Sequence, residues 1–75
     1  MSLLTQAFLL ERYGPRLTIA QLSSLLDITE GTLRNQISAG SFPVSTYTEG
    51  GRRFASYQAV AEYLDRMDQA ARQAA

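Results

Sequence analysis

Few side chains in this sequence could take part in catalysis. The 75 residues include no cysteine and no histidine, which excludes thiol nucleophiles, disulfides, zinc fingers and the usual proton-transfer residue at neutral pH. Glu62 and Asp65 lie one helical turn apart on a predicted exposed face, a weak arrangement for binding a metal. Gly50 and Gly51 belong to a predicted hairpin rather than to a nucleotide-binding loop that precedes a helix. We therefore expect no enzyme activity, no catalytic residue, no cofactor and no metal site.

All seven basic residues are arginine, whose forked guanidinium group is suited to contacts with phosphates and guanine edges. Seven acidic residues bring the formal net charge to zero, whereas DNA-binding domains are often strongly basic. The charges are unevenly distributed, because residues 31–56 contain Arg34, Arg52 and Arg53 but only one acid, Glu49. This segment is therefore the candidate for contact with an anionic partner.

Two short helices joined by a tight turn are the central predicted feature. Thr18 is a predicted N-cap with Gln21 as its capping-box partner, Thr29 caps the second helix and Gly40 ends it. Asp27 stands in the turn where glycine is usual, and Asp is among the few other residues that tolerate a positive φ. The pattern predicts a helix-turn-helix over about residues 18–38, with inward positions Leu22, Leu26, Ile28, Leu33 and Ile37.

The outward face of the second helix carries small or hydrogen-bonding groups and one arginine. Asn pairs well with adenine and Arg with guanine, and a glycine near the helix start lets the backbone approach a phosphate. Residues 44–55 are predicted to form a two-stranded hairpin with paired arginines at its tip, typical of a wing that contacts DNA. The alternative for both surfaces is an ordinary solvated exterior. The predicted DNA-binding residues are Thr29, Gly31, Thr32, Arg34, Asn35, Ser38, Arg52 and Arg53.

One further helix is predicted on each side of this unit. The first covers residues 2–13, ends at Gly14-Pro15, and is expected to pack inward through Leu3, Leu4, Ala7, Phe8 and Leu10. The last covers about residues 57–70, with Ser56 as its cap and an inward stripe of Val60, Tyr63, Leu64 and Met67. The whole chain, residues 1–75, is therefore predicted to be a single, mainly α winged helix-turn-helix domain with flanking N- and C-terminal helices.

We also expect self-association. A domain of this size reads only a few base pairs on its own, so useful specificity usually needs two or more copies on the DNA. Leu9 and Tyr13 extend the apolar character of the first helix beyond its predicted inward stripe, so they are the first candidates for a dimer contact. Alanines 70, 71 and 74 at the end of the last helix are the second candidate.

The order and spacing of five segments resemble the AlpA/excisionase group of small MerR-like winged-helix proteins. The segments are LTIAQL at 17–22, ITEGTLR at 28–34, AGSFP at 39–43, GGRRF at 50–54 and VAEYL at 60–64. The resemblance implies a phage- or mobile-element-linked transcriptional regulator or excisionase. It places the recognition helix at residues 29–38 and the wing arginines at Arg52 and Arg53. Asp27 and the helix before residue 17 depart from the family pattern.

Two functions follow from these observations. The first is sequence-specific binding of double-stranded DNA, as a homodimer or cooperatively, with a recombinase or RNA polymerase as a further partner. The second is a protein-interaction module, an inhibitor or adaptor, that uses the same fold without DNA; the zero net charge keeps this alternative open. The sequence has neither a signal peptide nor an apolar run long enough to span a membrane, so we expect a cytoplasmic location without membrane contact.

Overall fold

The computed structural model describes residues 3–74, and within that range it contains four helices and a three-stranded antiparallel sheet. The chain is mainly helical, as the sequence predicts. The strand order in the sheet is β1-β3-β2, so the last strand in the sequence lies in the middle. The elements are α1 (Leu3–Tyr13), β1 (Arg16–Thr18), α2 (Ile19–Leu26), α3 (Glu30–Ala39), β2 (Tyr47–Glu49), β3 (Arg52–Ser56) and α4 (Tyr57–Ala74).

The predicted caps and turn between α2 and α3 are confirmed. The Thr18 side chain accepts a hydrogen bond from the Gln21 backbone N–H at 3.2 Å, and the Gln21 side chain accepts one from the Thr18 N–H at 2.9 Å. Asp27 ends α2 in the left-handed conformation, with φ 57° and ψ 44°. The Ser23 hydroxyl donates to the Ile28 carbonyl, and the Ile28 N–H donates back to the Ser23 carbonyl at 3.1 Å. These bonds fix the short connection between the two helices.

β2 and β3 form a hairpin that turns at Gly50 and Gly51, with φ values of 59° and 78°. A two-residue loop with positive φ at both positions matches the twist of the two strands, and glycine adopts it without a steric clash. β2 begins at Tyr47 rather than at the predicted position 44, because Val44 is buried in the core and does not pair with β3.

β1 is a strand that the sequence did not predict, so the expected two-stranded sheet is corrected to three strands. Leu17 pairs with Ala55, and both are fully buried, while Thr18 pairs with Phe54. Only three residues separate Pro15 from α2, which is too short a segment to show the two-residue period of a strand. Through β1, the sheet joins the hairpin to the start of α2.

Every element except β2 contributes a side chain to the buried core. The inward positions predicted for the helix pair are confirmed, because Leu22 and Leu33 are fully buried and Leu26, Ile28 and Ile37 pack against the core. The buried apolar residues are Leu9, Leu17, Ile19, Leu22, Leu33, Val44, Phe54, Ala55, Val60 and Ala61.

α1 packs through the face opposite to the one predicted. Leu9 is fully buried, and Tyr13 one turn later packs against the core. Both sides of this helix are apolar, so periodicity identifies the helix without indicating which side faces inward. Leu9 therefore cannot be a dimer contact, and the predicted start at residue 2 lies outside the described residues. The residues that were expected inward but are exposed are Leu3, Leu4, Ala7, Phe8 and Leu10.

α4 continues to Ala74, beyond the predicted end near residue 70. Val60 is buried and Tyr63 and Leu64 are half-buried, as predicted, but Met67 is exposed. The expectation for Met67 is wrong because the packed face of α4 ends near Leu64, and every described residue from position 66 onward is exposed. No helix within residues 3–74 has the length and apolar character needed to cross a membrane.

Candidate nucleic-acid interface

α3 presents a polar surface that no other described element covers. The helix packs inward through the fully buried Leu33 and the half-buried Ile37, so residues on the opposite side face outward. The predicted contact residues Gly31, Thr32, Arg34, Asn35 and Ser38 are all exposed. Apart from its chain neighbours and the backbone of its own helix, no described residue has an atom within 4 Å of the position that a Cβ atom of Gly31 would occupy, so the backbone there is open to a ligand.

Thr29 begins α3 and uses its side chain to cap it. Its hydroxyl oxygen accepts a hydrogen bond from the Thr32 backbone N–H at 3.2 Å, and the two hydroxyl groups are 2.9 Å apart. The cap satisfies one of the N–H groups that a helix leaves free at its start. Thr29 therefore lies at the exposed N-terminal end of α3, where its side chain stabilises the start of the helix.

Two arginines of the hairpin line a cleft beside α3, although consecutive residues of β3 point to opposite faces of the sheet. Arg52 is exposed, and its guanidinium carbon lies 5.8 Å from the centre of the Phe54 ring. Arg53 is half-buried and donates a hydrogen bond to the Thr46 hydroxyl at 2.9 Å. This bond limits the positions that the Arg53 side chain can adopt, whereas the Arg52 guanidinium lies over the Phe54 ring, which Arg16 also contacts.

Two adjacent clefts separate α3 from the hairpin, and Arg34 and Arg53 line both of them. We call this pair of clefts the seam. The first cleft, of about 290 Å³, opens on the start of α2, on Glu30 and Arg34 of α3, and on Gly51, Arg52 and Arg53 of the hairpin. The second, of about 300 Å³, is lined by Arg34, Ile37, Ser38 and Arg53.

The charge of the seam is positive. Arg34 forms an exposed ion pair with Glu30 one turn earlier, at 3.7 Å, and Glu30 is the one acid among the described residues that lines either cleft. Among the described residues, neither Arg52 nor Arg53 forms an ion pair. Exposed pairs of this kind are weak and readily exchanged, so an incoming anion could take the place of Glu30. Three arginines are therefore available to a negatively charged ligand at this seam.

A separate cluster of side chains lies on the sheet and adds to the backbone pairing between β1 and the hairpin. Arg16 of β1 forms an ion pair with Glu49 of β2, and its guanidinium carbon lies 3.8 Å from the centre of the Phe54 ring between them. The Tyr47 ring lies 6.0 Å from the same Phe54 ring. Hydrogen bonds with Tyr47 and Glu49 raise the pKa of Arg16 above its usual value. Arg16 therefore links β1 to the hairpin across β3.

The structure brings together Arg34, Ser38, Arg52 and Arg53 at the seam, and leaves Gly31, Thr32 and Asn35 beside it on the outer face of α3. Sequence reasoning missed Arg16, because its role depends on a strand of only three residues. It also missed Glu30 as the partner of Arg34, although their four-residue spacing on a helix was a visible signal.

Comparisons with protein-family models, curated proteins and solved structures give no significant match for this chain. What the seam binds therefore has to follow from its own chemistry.

Proposed function

We propose that this protein binds double-stranded DNA through α3 and the β2–β3 hairpin, as a winged helix-turn-helix domain. In this arrangement α2 and α3 are the helix-turn-helix, α3 enters the major groove as the recognition helix, and the hairpin is the wing. The observation that carries the proposal is the seam, where Arg34 of α3 lies beside Arg52 and Arg53 of the hairpin.

The dimensions and chemistry of α3 suit a DNA groove. Its ten residues give a length of about 15 Å, and an α-helix fits the major groove of about 12 Å in width. Asn35 and Arg34 carry the side chains that pair with adenine and guanine edges. Gly31 leaves no side chain between the helix backbone and the DNA. These groups support α3 as the element that reads sequence.

The hairpin arginines have a different task in this proposal. Neither Arg52 nor Arg53 forms an ion pair with a described acid, although Glu49 stands opposite Arg52 in the hairpin, and both arginines line the cleft beside α3. Contacts of this kind with phosphates position a protein on DNA without reading bases directly. Arg16 supports them indirectly, because its contacts with Glu49 and Phe54 add to the backbone pairing that joins the hairpin to β1.

The biological role proposed is that of a cytoplasmic transcriptional regulator or excisionase of a phage or mobile element, without catalytic activity. This part rests on the resemblance of the segments at 17–64 to the AlpA/excisionase group. A regulator would act with RNA polymerase and an excisionase with a recombinase.

The first experiment measures binding of a labelled mixed-sequence duplex at about 50 mM and about 200 mM salt. We expect affinity to fall as salt rises, because binding to phosphates releases counterions. Arg52→Ala and Arg53→Ala should each reduce the salt slope by about one and weaken binding to all duplexes equally. Arg72→Ala is the matched control, because it removes an exposed arginine that lies outside both clefts. Salt-independent binding, or no binding to any duplex, would refute the proposal in favour of the protein-interaction module.

The second experiment tests which element reads bases. A duplex enriched from a random pool by the wild-type protein is compared with the mixed-sequence duplex. Arg34→Ala and Asn35→Ala should each weaken binding to the enriched duplex by roughly 5- to 150-fold, equivalent to ~1–3 kcal/mol, with a much smaller effect on the mixed duplex. Circular dichroism should show unchanged helix content, because both side chains are exposed. Equal losses on the two duplexes would show that α3 does not carry the specificity.

A further inference from the structure

The outward face of α1 is apolar, although the helix already packs through its other face. Leu3 and Leu4 are 80% and 84% exposed, and Phe8 and Leu10 are 55% and 44% exposed. We call Leu3, Leu4, Ala7, Phe8 and Leu10 the α1 patch. Side chains three and four positions apart lie on the same side of a helix, so these residues form one continuous surface.

The α1 patch is one contiguous apolar surface, unlike the single exposed apolar residues that are common on proteins. Leu9 and Tyr13 already anchor α1 to the core, so packing of the domain does not need a second apolar face. Four large apolar side chains with these exposures place the patch within the range of about 300–600 Å² found for the largest apolar patch on a monomer. Patches of this size are often functional.

We propose that the α1 patch is a self-association surface, on which α1 of one copy packs antiparallel against α1 of a second copy. A symmetric pair of this kind uses the same surface on both chains, and the residue on the two-fold axis meets its own counterpart. Ala7 lies at the middle of the patch and is exposed, and its small side chain lets two helices approach closely there. With Ala7 on the axis, Leu4 of each copy lies opposite Leu10 of the other.

Charge complementarity supports the antiparallel arrangement. Glu11 is exposed and lies on the same side of α1 as the patch, at its C-terminal end. In the proposed pair, Glu11 of each copy lies beside the N-terminal end of the other copy's α1. The first turn of α1 contains no acidic residue, so the partial positive charge at that end is not offset by its own helix. A parallel pair would instead bring the two Glu11 carboxylates together.

The area of the patch sets the expected strength of association. Two patches bury at most about 1,200 Å² in total, which is the lower limit for a stable protein–protein interface. The free protein should therefore associate weakly. Two copies bound to neighbouring DNA sites should associate more readily, because the DNA raises their effective concentration. The stronger association on DNA rests on the proposed DNA-binding function. Association of the free protein does not, because it can be measured without DNA.

Cysteine cross-linking tests the geometry directly, because the chain has no cysteine of its own. Ala7→Cys places one thiol on the proposed axis, where close helix packing would bring the two Cα atoms within the range of about 4.4–6.8 Å that a disulfide spans. Under mild oxidation at high protein concentration, Ala7→Cys should form a covalent dimer much faster than Glu62→Cys, the control on the exposed face of α4. Equal rates for the two variants would overturn the proposed pairing.

Sedimentation of the free protein from micromolar to millimolar concentration supplies the second test. The wild-type protein should show a concentration-dependent rise in mass that Leu3→Ser/Leu4→Ser abolishes and Glu11→Lys weakens. Glu62→Lys makes the same charge change outside α1 and should leave association unchanged. Circular dichroism should show that each variant is folded. A wild-type protein that stays monomeric throughout, and binds a two-site duplex without cooperativity, overturns the proposal even if DNA binding itself is found.

Discussion

Two leucines on the same helix give opposite predictions for stability. Leu9 is fully buried in the core, whereas Leu4, five positions earlier, is largely exposed. Replacing a buried leucine by alanine removes apolar contacts and leaves a cavity, at a cost of ~2–5 kcal/mol. A surface substitution away from such contacts usually changes stability by less than about 0.5 kcal/mol. Because both substitutions are Leu→Ala within α1, intrinsic helix propensity affects them alike, and the difference reports burial.

The loss of stability in Leu9→Ala is large for this protein, since the core of a domain of fewer than about 80 residues rarely supplies more than ~3–5 kcal/mol of stability. Leu9→Ala should lower the melting temperature by at least about 8 °C, because each 1 kcal/mol corresponds to about 4–8 °C in a domain of 60–100 residues. Leu4→Ala should melt within a few degrees of the wild-type protein.

Urea and thermal unfolding followed by circular dichroism provide the assay, at protein concentrations low enough to suppress self-association. The urea m-value should be unchanged for Leu4→Ala, which shows that the same surface is exposed on unfolding. If Leu9→Ala is as stable as the wild-type protein, or if Leu4→Ala loses as much stability as Leu9→Ala, the orientation of α1 described above is wrong.

Further predictions concern the hairpin and its support. Gly51→Val forces a β-branched residue to adopt a φ of 78°, so it should destabilise the turn by about 1–2 kcal/mol in urea unfolding. Gly31→Ala, on the exposed face of α3, should instead stabilise the protein by roughly 0.5–1 kcal/mol. A free energy of unfolding that is higher for Gly51→Val than for Gly31→Ala would contradict this reasoning. Arg16→Gln should speed hydrogen exchange at the Glu49 amide, which belongs to the hydrogen-bonded pair that closes the hairpin, without changing exchange in α2 and α3. Arg72→Gln, which removes the ion pair with Asp68, is the control, and equal exchange in both variants would show that Arg16 does not help to hold the hairpin.

The sequence predicts helix ends more reliably than helix orientation. The capping box of Thr18 and Gln21 and the left-handed Asp27 are local features, set by residues within four positions of one another. They can therefore be identified before any tertiary contact is known. The orientation of α1 depends on whether Leu9 or Leu4 meets the rest of the core, and that choice is made by contacts with α4 and β1, far away in the sequence.

The same distinction applies to the candidate site. A helical wheel places Asn35 and Arg34 outside as soon as Leu33 is assigned to the core, and both are exposed. The closeness of Arg34 to Arg53 depends on the path of residues 40–51 and on pairing of β3 with β1. No local pattern contains that information, because β1 has only three residues and its strand period cannot be read from them.

A zero net charge does not conflict with the proposed binding of a polyanion, because the distribution of charge decides which surface a polyanion meets. Exposed charges farther apart than about 8 Å are largely screened from each other at physiological salt. Arg72 is paired with Asp68 on α4, and Arg16 is paired with Glu49 across the sheet. The hairpin arginines have no such partner among the described residues. Among the described acids, Glu30 lines the seam, and Glu49 stands opposite Arg52 in the hairpin but forms its ion pair with Arg16. The seam therefore keeps a local excess of positive charge although the chain as a whole is neutral.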